Sequence, residues 1–129
     1  MRIYIESSPA IYLVEHIAPY EAAIEARLAG VGVIPVSSEL TRMECRVKPL
    51  RNADAARLAD FDVFFSTRIL DWVMFTRPVF DKAAEIRARY RFKTPDALHL
   101  AAAIVSVCDV FLTNDQQLTR CTDITVEVI

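Results

Sequence analysis

Four acidic side chains stand where they could do chemistry. Glu6 follows the short apolar run Arg2-Ile3-Tyr4-Ile5, and Glu44 follows the run around Val36. Asp96 comes just after Thr94-Pro95, and Asp115 just after Val110-Phe111-Leu112-Thr113-Asn114. Carboxylates are hard oxygen donors that suit Mg²⁺ or Mn²⁺. Gathered together they repel, and their pKa values rise unless a cation neutralises them. A divalent ion in such a site activates water and stabilises charge developing on a phosphate. Each acid also has an ordinary role open to it. Asp96 and Asp115 are favourable at helix N-termini, Glu44 suits a surface, and Glu6 suits a strand-end turn. The case for a site is convergence, which depends on the elements that carry the four residues.

Strands are expected at Arg2 to Ile5, Val33 to Val36, Ile69 to Met74, Val110 to Leu112 and Ile124 to Val128, where short β-branched and aromatic runs occur. Between them fall helical patterns. Ser8-Pro9 starts a helix to about Glu15, and Tyr20 to Ala29 forms another, ended by Gly30. Ser37 caps a third, to about Lys48, which Pro49 closes. Asp54 caps a fourth, to about Ser66, and Thr76 starts a fifth, to about Tyr90. Thr94-Pro95 opens a helix to about Cys108 that is apolar nearly all round and must be central. A last short helix spans Asn114 to about Thr119. Strands alternating with helices predict one α/β domain, residues 1–129, with a mostly parallel sheet covered on both faces. Ligands of such sheets bind beyond the carboxyl ends of the strands, and all four acids fall at or near that edge.

Composition excludes several classes. With only Gly30 and Gly32, no glycine-rich phosphate loop can form. Cys45, Cys108 and Cys121 form no metal-binding spacing and suit a reducing cytoplasm. An acid at Glu6 interrupts any signal-like run. The longest uncharged stretch, Ala97 to Cys108, is too short for a membrane span of about 20 residues. The net charge is −2, yet cations cluster at Arg42, Arg46, Lys48 and Arg51, and at Arg87, Arg89, Arg91 and Lys93. These are either solvated helix faces or two rims of a groove that tracks phosphates.

The ordered motifs resemble those of the PIN domain. IESSPAIYLVE resembles its first motif, SSELTRMECRVKPLR its second, TPDALHLAAAI its third and FLTNDQQL its fourth. Together they cover most of the chain in the right order, and the likeness is greatest to VapC-like toxins. The resemblance implies a PIN-like three-layer α/β/α sandwich with a five-stranded sheet. It also implies a divalent-metal site built from Glu6, Glu44, Asp96 and Asp115, and endonuclease cleavage of RNA by a metal-activated water. Homodimers and a cognate VapB-like antitoxin that blocks the site are implied as well.

One position departs from the family pattern, which has aspartate where this chain has Glu6. The extra methylene moves the carboxylate by roughly 1.5 Å on a fixed backbone. A misplacement of about 1 Å can cost on the order of 100-fold in rate. Two alternatives therefore stand beside the toxin ribonuclease: a catalytically weakened PIN-fold binding module, and a PIN nuclease of RNA maturation.

Around the acids, Ser8 could cap a helix, or hold a metal-bound water or phosphate. Arg42 could position substrate phosphate or pair with Glu39, and Asn114 is a further substrate-binding candidate. His99 reads as a packed histidine, His16 as an exposed helix end, and Cys45 as packing. An apolar fraction of 53% suggests more apolar surface than one small domain hides. Tyr20 and Ile24 form an i,i+4 pair, Phe61 and Phe65 share a face, and Phe64 is displaced from them. These five either belong to the core or partly line a groove between the second and fourth helices. In that groove an antitoxin helix would insert its apolar face, and several of the five would stay partly exposed.

Overall fold

The computed structural model describes residues 1–129. Five strands form, β1 Arg2–Ile5, β2 Ile34–Ser38, β3 Asp71–Val73, β4 Val110–Thr113 and β5 Thr125–Val128. Six helices join them, α1 Ser7–Val14, α2 Tyr20–Leu28, α3 Glu39–Arg51, α4 Ala55–Thr67, α5 Arg77–Tyr90 and α6 Thr94–Val105, and a 3₁₀ turn covers Gln116–Arg120. The strand order is β3-β2-β1-β4-β5, with every pairing parallel. All five carboxyl ends therefore share one edge.

β1 is central, with Tyr4 opposite Val36 on one side and Phe111 on the other. Side chains alternate across a strand, so Tyr4, Val36 and Phe111 enter one core with α5 and α6. Ile3, Ile5, Val110 and Leu112 enter a second core with residues of α1 to α4. The result is the expected three-layer sandwich. Ala97, Ala101, Ala102 and Ala103 are fully buried, and these small side chains let α6 lie close against its neighbours.

Local chemistry moves several boundaries. α1 begins one residue before the expected Ser8, and its N-cap is Glu6, whose carboxylate accepts from the Ser8 N–H at 3.1 Å. Ser8 supplies the capped donor and is not itself the cap. Ser37 stays in β2, where its hydroxyl donates to the Ile5 carbonyl at 2.8 Å, and Ser38 takes the N-cap of α3. Pro49 lies inside α3 and does not close it. A proline removes one helical donor, and the next turn survives because Asn52 N–H reaches the Lys48 carbonyl at 3.0 Å. Asp54 caps α4 as expected, accepting from Arg57 N–H at 3.0 Å. β3 is shorter than its apolar run, since Leu70 and Met74 are exposed.

For the five apolar residues read as belonging either to the core or to a groove, the expectation that several stay partly exposed needs correction. Ile24, Phe61, Phe64 and Phe65 are buried in the core on the α1-to-α4 face, and only Tyr20 keeps partial exposure. The reason is mutual packing. Phe61 stacks on Phe65 at 6.5 Å, Phe65 meets Phe64 edge-on at 5.1 Å, and Tyr20 stacks on Tyr12 at 4.5 Å.

Candidate acidic site at the carboxyl edge

Where β1 ends, two hydroxyls hold its last carbonyl. Ser37 Oγ donates to the Ile5 carbonyl at 2.8 Å and Thr41 Oγ1 at 3.4 Å. The chain then turns at Glu6 into α1. Glu6 is buried, and burial pushes its carboxyl above the usual range. The neighbouring His99 and the Ser8 hydrogen bond oppose this, while the charge of Glu44 adds to it.

Glu44 sits on the buried side of α3, opposite α1 and α6. Its Oε1 accepts from Ser7 Oγ at 2.5 Å and pairs with His99 Nε2 at 2.5 Å. Burial alone would raise this carboxyl; the His99 contact and the Ser7 hydroxyl outweigh it and hold the group below its ordinary value. Behind the imidazole, His99 Nδ1 meets Tyr4 Oη at 2.9 Å, and Tyr4 Oη meets Ser38 Oγ at 2.7 Å. Burial pushes the Tyr4 phenol up, so it remains protonated.

Asp96, half-buried in the first turn of α6, is raised by burial and then by the negative charge of Asp115, with Glu44 adding. His99 and Lys93 only partly offset this. Asp115 accepts from Gln117 N–H at 2.9 Å and starts the 3₁₀ turn, and its own N–H donates to Thr113 Oγ1 at 3.0 Å. Glu44 thus bears on both Glu6 and Asp96, and Asp115 bears on Asp96. No three acids, histidines or cysteines stand together as a group able to enclose a metal ion. Oxygens without a protein hydrogen bond nevertheless remain on Glu44 (Oε2), on Asp115 (Oδ2) and on both sides of the Asp96 carboxylate. An all-oxygen donor set suits Mg²⁺, which commonly binds through one or two carboxylates and keeps its waters.

The supporting residues separate into two groups. Asn114 Nδ2 donates to Tyr12 Oη at 2.7 Å, which ties β4 to α1. Arg42 is engaged away from the acids, 3.6 Å from Glu39 and 3.7 Å from Asp62, and Arg46 joins Asp62 at 2.5 Å. Of the second basic cluster, Arg89 is held by Asp123 at 3.0 Å and Arg87 by the Phe92 carbonyl at 3.1 Å. Sequence reasoning passed over the roles of Ser7, Tyr4 and His99. The available signal was His99 itself, a polar ring on an otherwise apolar helix one turn after Asp96, because buried polar groups find partners.

The PIN domain family model matches residues 3–123. The chain belongs to the PIN domain family. No curated protein sequence matches it. Among solved structures, the fold is similar to that of a chain in VapBC2 from Rickettsia felis bound to a DNA fragment from their promoter, with TM-score 0.81, 15% identity, and coverage of 100% of this chain and 99% of that chain. A toxin-antitoxin complex from Klebsiella pneumoniae gives TM-score 0.74 at 18% identity, covering 100% of both chains. FitAcB from Neisseria gonorrhoeae gives 0.67 at 17% identity, covering 98% of this chain and 96% of that chain. At these identities the likeness is one of fold.

Proposed function

We propose that the protein is a VapC-like toxin, a metal-dependent endoribonuclease whose acids at the carboxyl edge hold Mg²⁺ or Mn²⁺. The observation that carries this reading is the unneutralised charge around Asp96, which burial, Asp115 and Glu44 together lift above the ordinary aspartate range. A bound divalent ion would relieve that repulsion, activate a water and stabilise charge on the phosphate. Asp96 and Glu44 would be the principal ligands, with Asp115 and Glu6 assisting. The chain's own part is to orient. Ser7 and His99 fix Glu44, and Thr113 and Gln117 fix the turn at Asp115. Lys93 stands beside Asp96 without an ion-pair partner and is a candidate phosphate contact. The test is cleavage of a fluorophore–quencher RNA with Mg²⁺ or Mn²⁺, and with EDTA. Metal-independent cleavage, or cleavage unchanged in Asp96→Asn, would place the activity elsewhere.

A surface groove supports the same reading. A groove of about 360 Å³ lies between α1, α2 and α4, floored by Leu13, Val14, Val63 and Phe64 and rimmed by His16, Glu21, Glu25, Asp60, Thr67 and Arg68. Glu21 is paired with His16 and Glu25 with Arg68, and an apolar floor inside this polar rim fits the apolar face of an amphipathic antitoxin helix. One similar solved structure is a toxin-antitoxin complex, and another is VapBC2 bound to a DNA fragment from their promoter. The homodimer belongs, on this reading, to the exposed apolar side chains Met43, Met74 and Phe80.

A second reading has its own observation. One oxygen of Glu6, Oε1, is engaged in capping α1. A longer acid tied at one oxygen in this way fits a weakened nuclease that acts chiefly by binding its partner. Glu6→Asp decides between them, because the shorter side chain should increase metal affinity and cleavage if the site is a working one.

A further inference from the structure

Each face of the buried His99 ring has a fixed duty. Glu44 is ionised and can only accept, so His99 must carry a proton on Nε2 and donate it to Oε1. Tyr4 remains a phenol, so Oη donates to a bare Nδ1, or accepts from a protonated one and donates onward to Ser38. In both states Nε2–H stays aimed at Glu44. The ring cannot turn without losing two contacts, since it is 2% exposed and packs edge-on against Tyr4 at 5.8 Å between centroids. Ser7 Oγ donates to the same Oε1. One carboxylate oxygen is thus held twice, and Oε2 is left without a protein partner.

We propose that His99, backed by Tyr4 and Ser38, is a positioning residue that pins Oε1 of Glu44 so that Oε2 is presented as a ligand oxygen. The proposal rests on the metal-nuclease reading above. Hydrogen bonds of this kind behind a ligand orient it and tune its basicity, and their loss commonly costs 10–100-fold in metal affinity or activity. α6 carries Asp96 and His99 one turn apart, so a single rigid helix sets both a ligand and the support of a second ligand on α3.

The test compares His99→Gln with His99→Asn. The Gln amide can reach the place of Nε2 and donate to Glu44; the Asn amide reaches only the place of Nδ1 and meets Tyr4. Both put a neutral amide in the same pocket, so a merely structural histidine would be missed equally in each. Mn²⁺ binding, read by electron paramagnetic resonance without RNA, should stay within about 3-fold of wild type in His99→Gln and weaken about 10–100-fold in His99→Asn. Tyr4→Phe, which loses only the backing hydroxyl, should fall between. Raising Mn²⁺ should restore cleavage in His99→Asn. Equal losses in Gln and Asn, or wild-type affinity in Asn, overturn the proposal. The metal-free protein has a separate readout: ¹H–¹⁵N spectra should show an exchange-protected proton on His99 Nε2. A ring protonated only on Nδ1 overturns the positioning role even where cleavage proves metal-dependent. A wild type with the protected proton that neither binds Mn²⁺ nor cuts RNA overturns the nuclease reading instead, and with it the ligand role given to Oε2.

Discussion

The two edges of the sheet treat charge in opposite ways. At the amino edge charges are answered. Arg2 pairs with Asp71 at 2.8 Å, the Arg2 N–H donates to Asp109 at 2.7 Å, and the terminal ammonium donates to the Gly32 carbonyl at 3.0 Å. At the carboxyl edge lie Glu6, Glu44, Asp96 and Asp115, and only Glu44 has a basic partner, His99. The buried polar residues Ser37, Ser38, Thr41, His99 and Thr113 also gather there. A chain selected for stability alone would balance both edges, since like charges at close range raise each other's pKa. On the proposed reading, the imbalance is what a cation and a phosphate would answer.

Breaking the acidic edge should have the largest effect. Asp96→Asn and Glu44→Gln should each lower metal-dependent RNA cleavage by at least about 100-fold, the scale on which misplaced catalytic groups cost rate. Circular dichroism and melting curves would confirm that the fold persists. Next comes the partner groove, remote from that edge. Val63 is 60% exposed on α4, and Val63→Glu should weaken the cognate antitoxin about 10–100-fold, or about 1.4–2.8 kcal/mol, in calorimetry, with cleavage by the free protein untouched. Unchanged affinity would move the partner off this face.

Smaller effects sharpen the contrast. Glu6→Asp should raise Mn²⁺ affinity or cleavage several-fold; a decrease would show a pocket adapted to glutamate. Asp71→Asn at the answered edge should cost about 0–1 kcal/mol of stability, as exposed ion pairs do, and leave cleavage alone. The smallest effect is on the melting temperature of metal-free Asp96→Asn. Folding raises the Asp96 pKa, so its ionised form costs stability at neutral pH, and that cost fades as pH falls through the raised folded value toward the ordinary aspartate range. The variant should melt slightly higher at pH 7, by less than about 4 °C, and the difference should shrink on acidification. A difference that grows on acidification would contradict the burial and repulsion assigned here. Glu44 works the other way, since its depressed pKa adds stability that is lost as pH drops through the folded value.

The architecture was legible because period and punctuation agreed. The apolar strands, the Asp54 cap and the apolar α6 all fell where the residue pattern put them. Boundaries slipped where a side chain served a distant partner. Ser37 was read as a cap, yet its hydroxyl is committed to Ile5 across the sheet. Phe61, Phe64 and Phe65 stand at i, i+3 and i+4, which is one helical stripe. Asp62, Val63, Ser66 and Thr67 around them are exposed, so α4 buries a single face, and Phe64 belongs to it with the other two. Within the candidate site, the mutual influence of Glu44, Asp96 and Asp115 follows from strand order. The His99–Glu44 contact does not, because it joins residues 55 apart on two helices whose crossing no local pattern records.

The sheet order also sets a schedule for synthesis. β1 reaches β4 through pairs such as Ile3 with Val110, so the first strand made must wait for nearly the whole chain before its second neighbour exists. Long-range pairing of this kind is paid for in loop closure before it is rewarded. The groove residues, from Leu13 to Arg68, leave the ribosome well ahead of Asp96 and Asp115. During translation the side that would receive an inhibitor is therefore present in the chain before the last two acids of the site. If the proposed function holds, the surface for restraint is made earlier than the acids it would restrain.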